Sequence, residues 1–174
     1  MAEFIVNGSR LAYGERGGRE PFARDTGFGT GGSDGSFARA WEISADRIVC
    51  VGEATTESSQ DGEDWLLCVV TDVHGSWLEA SLYSEGRNDA LQWLSSALGR
   101  SFEVKLAHAP PFRSRVMWPA SLEEQPLFDY QMSVVRRVFS RGLRRLGFPS
   151  KGAVQTVRRS VLEGLRRPRL VSNM

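Results

Sequence analysis

Lysine is nearly missing from this chain, which has two lysines against 20 arginines in 174 residues. A GC-rich coding sequence produces such a bias, and so does recognition of phosphate or carboxylate by guanidinium forks. Cysteine is also scarce. Cys50 and Cys68 are the two cysteines, and each lies in an apolar run, RIVCVG and WLLCVV. Two thiols make no disulfide framework, so buried, reduced cysteines are expected. The first residues, MAEFIVNGSRLAYG, lack the basic start and long apolar stretch of a secretory leader. No apolar run approaches the roughly 20 residues of a membrane span. These absences point to a cytoplasmic protein with no integral membrane segment.

Catalytic signatures are absent too. The chain has no nucleophile elbow, Walker loop, HExxH or paired C-x-x-C. The glycine-rich string GFGTGGSDG carries a GxGxxG-like pattern, but PFARDT precedes it and SFARAW follows. A dinucleotide loop needs a strand before it and a helix after it. No cofactor and no metal follow from these residues. The adjacent acids Glu63-Asp64 and Glu123-Glu124 sit in polar loops and read as solvated surface.

What is present is a division of charge. Residues 1–130 hold 11 basic and 20 acidic side chains, a balance of −9. Residues 131–174 hold 11 basic side chains and one acid, Glu163, a balance of +10. A terminal block of one sign usually meets something of the other sign. The partner is a polyanion, an anionic surface, an acidic protein, or the first part of the same chain.

The hydrophobic pattern predicts an α+β fold, an antiparallel β-meander packed by one helix, followed by a basic helical hairpin at the C-terminus. Three regions follow. Residues 1–39 are an N-terminal hairpin, with Asn7-Gly8 as its turn, and a Gly-rich flexible segment. Residues 40–128 are an acidic α+β core. Its strands are expected in WEISADRIVCVGEAT (one strand or a short pair), DWLLCVVTDV, WLEASLYSE, SFEVKLAH and RSRVMW. Its helix is GRNDALQWLSSALG, with Asn88 as the cap and Gly99 as the stop. Residues 129–174 form the basic hairpin. In its first helix Met132, Val135, Val138, Phe139, Leu143 and Leu146 share one side. Arg136, Arg137, Arg141, Arg144 and Arg145 lie across the rest, and Gly147 and Pro149 end the helix. Ser150 caps a second helix, from about Lys151 to Arg167, with Val154, Val157, Val161 and Leu165 as its stripe.

One motif carries a resemblance. LLCVVTDVHGS is an apolar strand ending in D-x-H-G, and in this it resembles the first motif of the metallophosphoesterases. The resemblance implies Asp72 and His74 as metal ligands. It covers about ten residues, and the GD and GNH elements that complete a two-metal site in that family have no counterpart here. The string therefore reads as a hairpin turn, and the chain as a non-enzyme.

The five tryptophans, Trp41, Trp65, Trp77, Trp93 and Trp118, suit either a core or a stacking platform for bases. Trp77 and Tyr83 share a strand face opposite Leu78, Ala80 and Leu82, which suggests an aromatic contact surface. The function expected from these patterns is nucleic-acid binding. Arg136, Arg137, Arg141, Arg144, Arg145, Arg158, Arg159, Arg166 and Arg167 would contact phosphates. The alternative is an adaptor or assembly subunit, whose C-terminal apolar stripes dock on a protein partner or on a second copy.

Overall fold

The computed structural model describes residues 2–15, 40–56, 64–131 and 154–166. The chain starts as the hairpin its sequence predicts, with strands β1 (Ala2–Asn7) and β2 (Arg10–Glu15). The register pairs Asn7 with Arg10, so Gly8 and Ser9 form the corner, one residue later than expected. Strand β3 (Trp41–Ser44) adds antiparallel to β2, giving the order β1-β2-β3.

A short 3-10 turn, Ala45–Arg47, then carries the chain into a second sheet. WEISADRIVCVGEAT is thus two strands that belong to different sheets. The second sheet contains β4 (Cys50–Thr55), β5 (Trp65–Val70), β6 (Trp77–Ser81) and β7 (Ser114–Trp118). Its order is β6-β5-β4-β7, and every pairing is antiparallel. β4 and β5 are buried at every position. Their near-continuous apolar sequences reflect a sheet covered on both faces, where alternation has no solvent side to mark.

The first face carries Val51, Leu67, Val69 and Ala80. It packs against Phe4, Leu11, Tyr13, Trp41 and Ile43 of the three-stranded sheet. The helix α1 (Arg87–Leu98) completes this layer with Ala90 and Leu94. Its cap is Gly86, not Asn88, and no side chain bonds the first turn. Gly86 has φ +74, and a Cβ there would run into the Phe4 carbonyl. Glycine is required on both counts. Gly99 ends the helix as expected, with its N–H donating to the Ser95 carbonyl.

The second face carries Cys50, Ala54, Leu66, Cys68, Val70 and Val116. Two strands that the sequence pattern does not predict cover it. They are β8 (Phe128–Gln131) and β9 (Val154–Val157), paired antiparallel with Phe128 opposite Val157. The helix α2 (Arg159–Arg166) follows directly. The predicted helix from Lys151 to Arg167 is therefore a strand and then a helix within the described residues. Val154, Thr156 and Val157 are β-branched and favour the extended ladder that Phe128–Gln131 offers them. Val157 and Val161 bury on the sheet, with Leu162 and Leu165 packed beside them. The helix predicted over 132–146 and the cap at Ser150 lie outside the described residues.

SFEVKLAH, expected as a strand, joins no ladder. The N–H groups of Lys105 and Leu106 instead donate to the carboxylate of Glu53, at 2.8 and 3.1 Å. RSRVMW does form a strand, β7, which Pro119 follows. Where β7 meets β4 the register shifts between Val51 and Gly52. A Cβ on Gly52 would stand 2.5 Å from the Arg115 carbonyl oxygen and 2.7 Å from Leu127. Gly52→Ala is therefore expected to destabilise the protein by about 1–3 kcal/mol in urea unfolding. An alanine variant as stable as wild type would show that β4 and β7 are not this close.

Candidate functional site

The described part of the basic block is assembled from an apolar anchor outward. Val157 at the end of β9 and Val161 in α2 point to the second face of the central sheet. The arginines between and after them are therefore directed away from it. Arg158 is 42% exposed and Arg159 is 91% exposed. Each meets a carboxylate of the same chain. Arg158 Nε lies 3.1 Å from Asp129 on β8, and Arg159 Nε lies 2.8 Å from Glu163 one helical turn on. Such exposed pairs contribute between zero and about 1 kcal/mol, so they leave the guanidinium groups open to exchange for another anion. Arg166 donates to the Val73 carbonyl at 3.1 Å. Of the nine arginines singled out from the sequence, the structure places Arg159 and Arg166 on α2 and Arg158 immediately before it. Arg136, Arg137, Arg141, Arg144, Arg145 and Arg167 lie outside the described residues.

The Val73 carbonyl belongs to the D-V-H-G string. Asp72 Oδ1 accepts the backbone N–H groups of His74, Gly75 and Ser76 at 2.8, 2.9 and 3.1 Å. One carboxylate oxygen thus closes the whole turn, as expected of an Asx-type corner. Burial raises the Asp72 pKa, but the bonds from Ser76, His74 and Gly75 outweigh it and hold the carboxyl below its ordinary value. His74 is exposed, and no group of three or more metal-ligating side chains occurs among the described residues. In this structure Asp72 holds a turn, and the turn supports α2 through Gly75, whose Cα side faces Val157 and Leu162.

The tryptophans form no stacking platform. Trp41 and Trp65 are core residues, and Trp93 and Trp118 pack against the same cluster. Trp77 packs on Phe128 of β8, with ring centroids 5.2 Å apart, so the face expected to be an aromatic surface is covered. Tyr83 lies beyond the end of β6, is 55% exposed, and stands edge-on to Trp65.

Two acids inside apolar strands, Glu53 and Glu79, are marked by no motif in the sequence. Glu53 is wholly buried beside Arg115, whose Nε lies 2.6 Å from Oε1. Beside Arg115 is a shallow polar depression of about 150 Å³, lined by Arg100, Phe102, Glu103, Lys105, Arg115 and Met117 among others. Its cations are occupied. Arg100 pairs with Glu123, Lys105 with Glu124 at 3.1 Å, and Arg115 with both Glu53 and Glu124. The thiols offer no reactivity either, since burial pushes Cys50 up to about 12 and Cys68 well above its ordinary value. The only sequence signal for Glu53 and Glu79 is a lone acid within an otherwise apolar strand, as in CVGEAT and WLEAS.

No protein-family model, curated protein or solved structure matches this chain. The fold is a mixed α+β arrangement of antiparallel sheets, and no helix among the described residues is long and apolar enough to cross a membrane.

Asp72→Ala is expected to cost about 1–2 kcal/mol at neutral pH, because three turn amides lose a charged acceptor. The contribution of a carboxyl held below its ordinary pKa is present above that value and fades as pH falls. The gap between wild type and variant should therefore narrow in acid-range melting experiments. A gap that widens toward low pH would contradict this role for the carboxylate in the turn.

Proposed function

We propose that this chain is a non-enzymatic nucleic-acid-binding protein that contacts phosphates through its arginine-rich C-terminal block. The observation that carries this reading is how α2 is used. Its apolar side is buried on the central sheet, and its arginines are left on the outside. A positive surface built on a folded element keeps its guanidinium groups in a fixed arrangement, which lowers the ordering cost of meeting a phosphate backbone. The adaptor reading draws on the apolar stripes of both C-terminal segments, and in the described one Val157 and Val161 are already buried within the chain. Arg158, Arg159 and Arg166 are the described contact residues. Arg136, Arg137, Arg141, Arg144, Arg145 and Arg167 belong to the same proposed surface by charge and sequence position.

The test is a salt series of binding isotherms with duplex and single-stranded oligonucleotides. Substitution serves better than truncation, because removing residues 154–166 would uncover Leu66, Cys68, Val70 and Val116. The wild type is expected to bind, with affinity falling steeply as salt rises. Replacing Arg158, Arg159 and Arg166 together by Gln should reduce the slope of log affinity against log salt by about 0.9 for each duplex phosphate no longer neutralised. Absence of binding at low salt would overturn the proposal. An unchanged slope would remove these three residues from it.

A further inference from the structure

Asp129 is the last acid before the basic block, and between residues 130 and 174 only Glu163 follows it. Strand alternation puts it on the outer side of β8. Its neighbours Phe128 and Tyr130 pack on the second face of the central sheet, while Asp129 is exposed. Across the ribbon it stands opposite Thr156, which is exposed as well. Arg158 comes two residues after Thr156, and its N–H donates to the Leu127 carbonyl at 2.8 Å. That bond holds the Arg158 backbone beside the start of β8, and its guanidinium reaches Asp129, with Nε 3.1 Å from Oδ1. Among the described residues the three contact arginines thus differ in what they meet. Arg159 pairs with Glu163 inside its own helix, and Arg166 donates to the neutral Val73 carbonyl. Arg158 meets a carboxylate that another strand brings to it.

We propose that Asp129 is a built-in competitor for the phosphate that Arg158 contacts, so that the fold holds its own binding surface below full affinity. This rests on the nucleic-acid-binding reading and names a regulator of the same surface. Carboxylate and phosphate oxygens are alternative acceptors for one guanidinium fork. The side chains of the pair are 42% and 50% exposed, so the pair is screened by water and weak enough to open. A phosphate that takes Arg158 leaves Asp129 unpaired beside the negative backbone, and the two repel. Asp129 therefore lowers affinity at low salt. It also lowers the number of counterions released, because the charge that Arg158 brings is already partly cancelled. The acidic part of the chain thus reaches into the basic surface at a single side chain on β8.

Full-length wild type, Asp129→Asn, Arg158→Gln and the double variant are titrated with a duplex oligonucleotide over a salt series. Asp129→Asn is expected to raise affinity at low salt about two- to five-fold. It should also steepen the slope of log affinity against log salt by up to about 0.9. Removing a negative charge anywhere raises affinity somewhat, so the double variant decides. Without Arg158, the change at Asp129 should lose most of its effect. An Asp129→Asn variant that binds as wild type does would overturn the competitor and leave the phosphate-contact surface standing. A gain of equal size with and without Arg158 would do the same. Binding that emerges only in Asp129→Asn would support the proposal. Absence of binding by wild type and Asp129→Asn alike at low salt would overturn the surface itself, and the competitor with it. If Asn at this exposed position disturbs the ribbon, Asp129→Thr makes the same comparison with a residue that strands favour.

Discussion

The buried pair of Glu53 and Arg115 constrains this fold more than any other contact. Glu53 is 0% exposed and Arg115 is 8% exposed, so neither charge has water to fall back on. The carboxylate is fully occupied. Oε1 takes Arg115 Nε and Lys105 N–H, and Oε2 takes Trp65 Nε1 and Leu106 N–H. Arg115 uses its other nitrogens on Glu124 and on the Glu103 carbonyl. One ionic contact thus gathers β4, β5, β7, the segment after α1 and the loop bearing Glu124. A buried pair adds little over an apolar replacement of the same shape, but removing one partner strands the other charge at a cost of about 3–5 kcal/mol. The pair therefore acts chiefly by selecting one arrangement of these segments.

Around that pair the central sheet is covered on both faces. The N-terminal hairpin, β3 and α1 take one face, with Phe4 N–H bonded to the Glu85 carbonyl and the Trp41 indole bonded to the Glu79 carbonyl. The C-terminal ribbon and α2 take the other. The division of charge along the chain acquires a structural meaning from this. The basic block is not appended to an acidic domain. Its described part is a layer of the fold, and Arg158 reaches across to Asp129 on the acidic side of the division. Polar anchors at the two faces differ in kind. Glu53 is matched by a cation, whereas Glu79 is held by the neutral donors Trp77 and Gln155.

Much of this is legible in the sequence, for physical reasons that also explain the rest. The N-terminal hairpin, β5, β6, β7 and α1 carry strong local signals, such as a glycine corner, an apolar run, or a Gly99 stop. The second strand of the ribbon reads as helix because Val154, Val157, Val161 and Leu165 fit a helical stripe equally well. The deciding factor is a distant partner, Phe128–Gln131, that no local pattern reveals. SFEVKLAH alternates like a strand, yet its amides are satisfied by a side chain, so alternation marks extension without marking pairing. Asn88 looks like a cap, but the close approach of Phe4 demands a glycine, and the cap falls at Gly86 instead. No motif marks Glu53, which is wholly buried, or the partly buried Glu79, and only their apolar neighbours hint at enclosure.

The organisation of the fold rests on the coupling between Glu53 and Arg115, and a double-mutant cycle measures it directly. Urea unfolding would compare wild type with Glu53→Gln, Arg115→Met and the double variant. Each single change is expected to cost about 3–5 kcal/mol, because each leaves a buried group without its partner. The double variant is expected to lose less than the sum by at least about 1 kcal/mol. Single variants that each cost under about 1 kcal/mol, or losses that simply add, would show that the pair does not organise the fold.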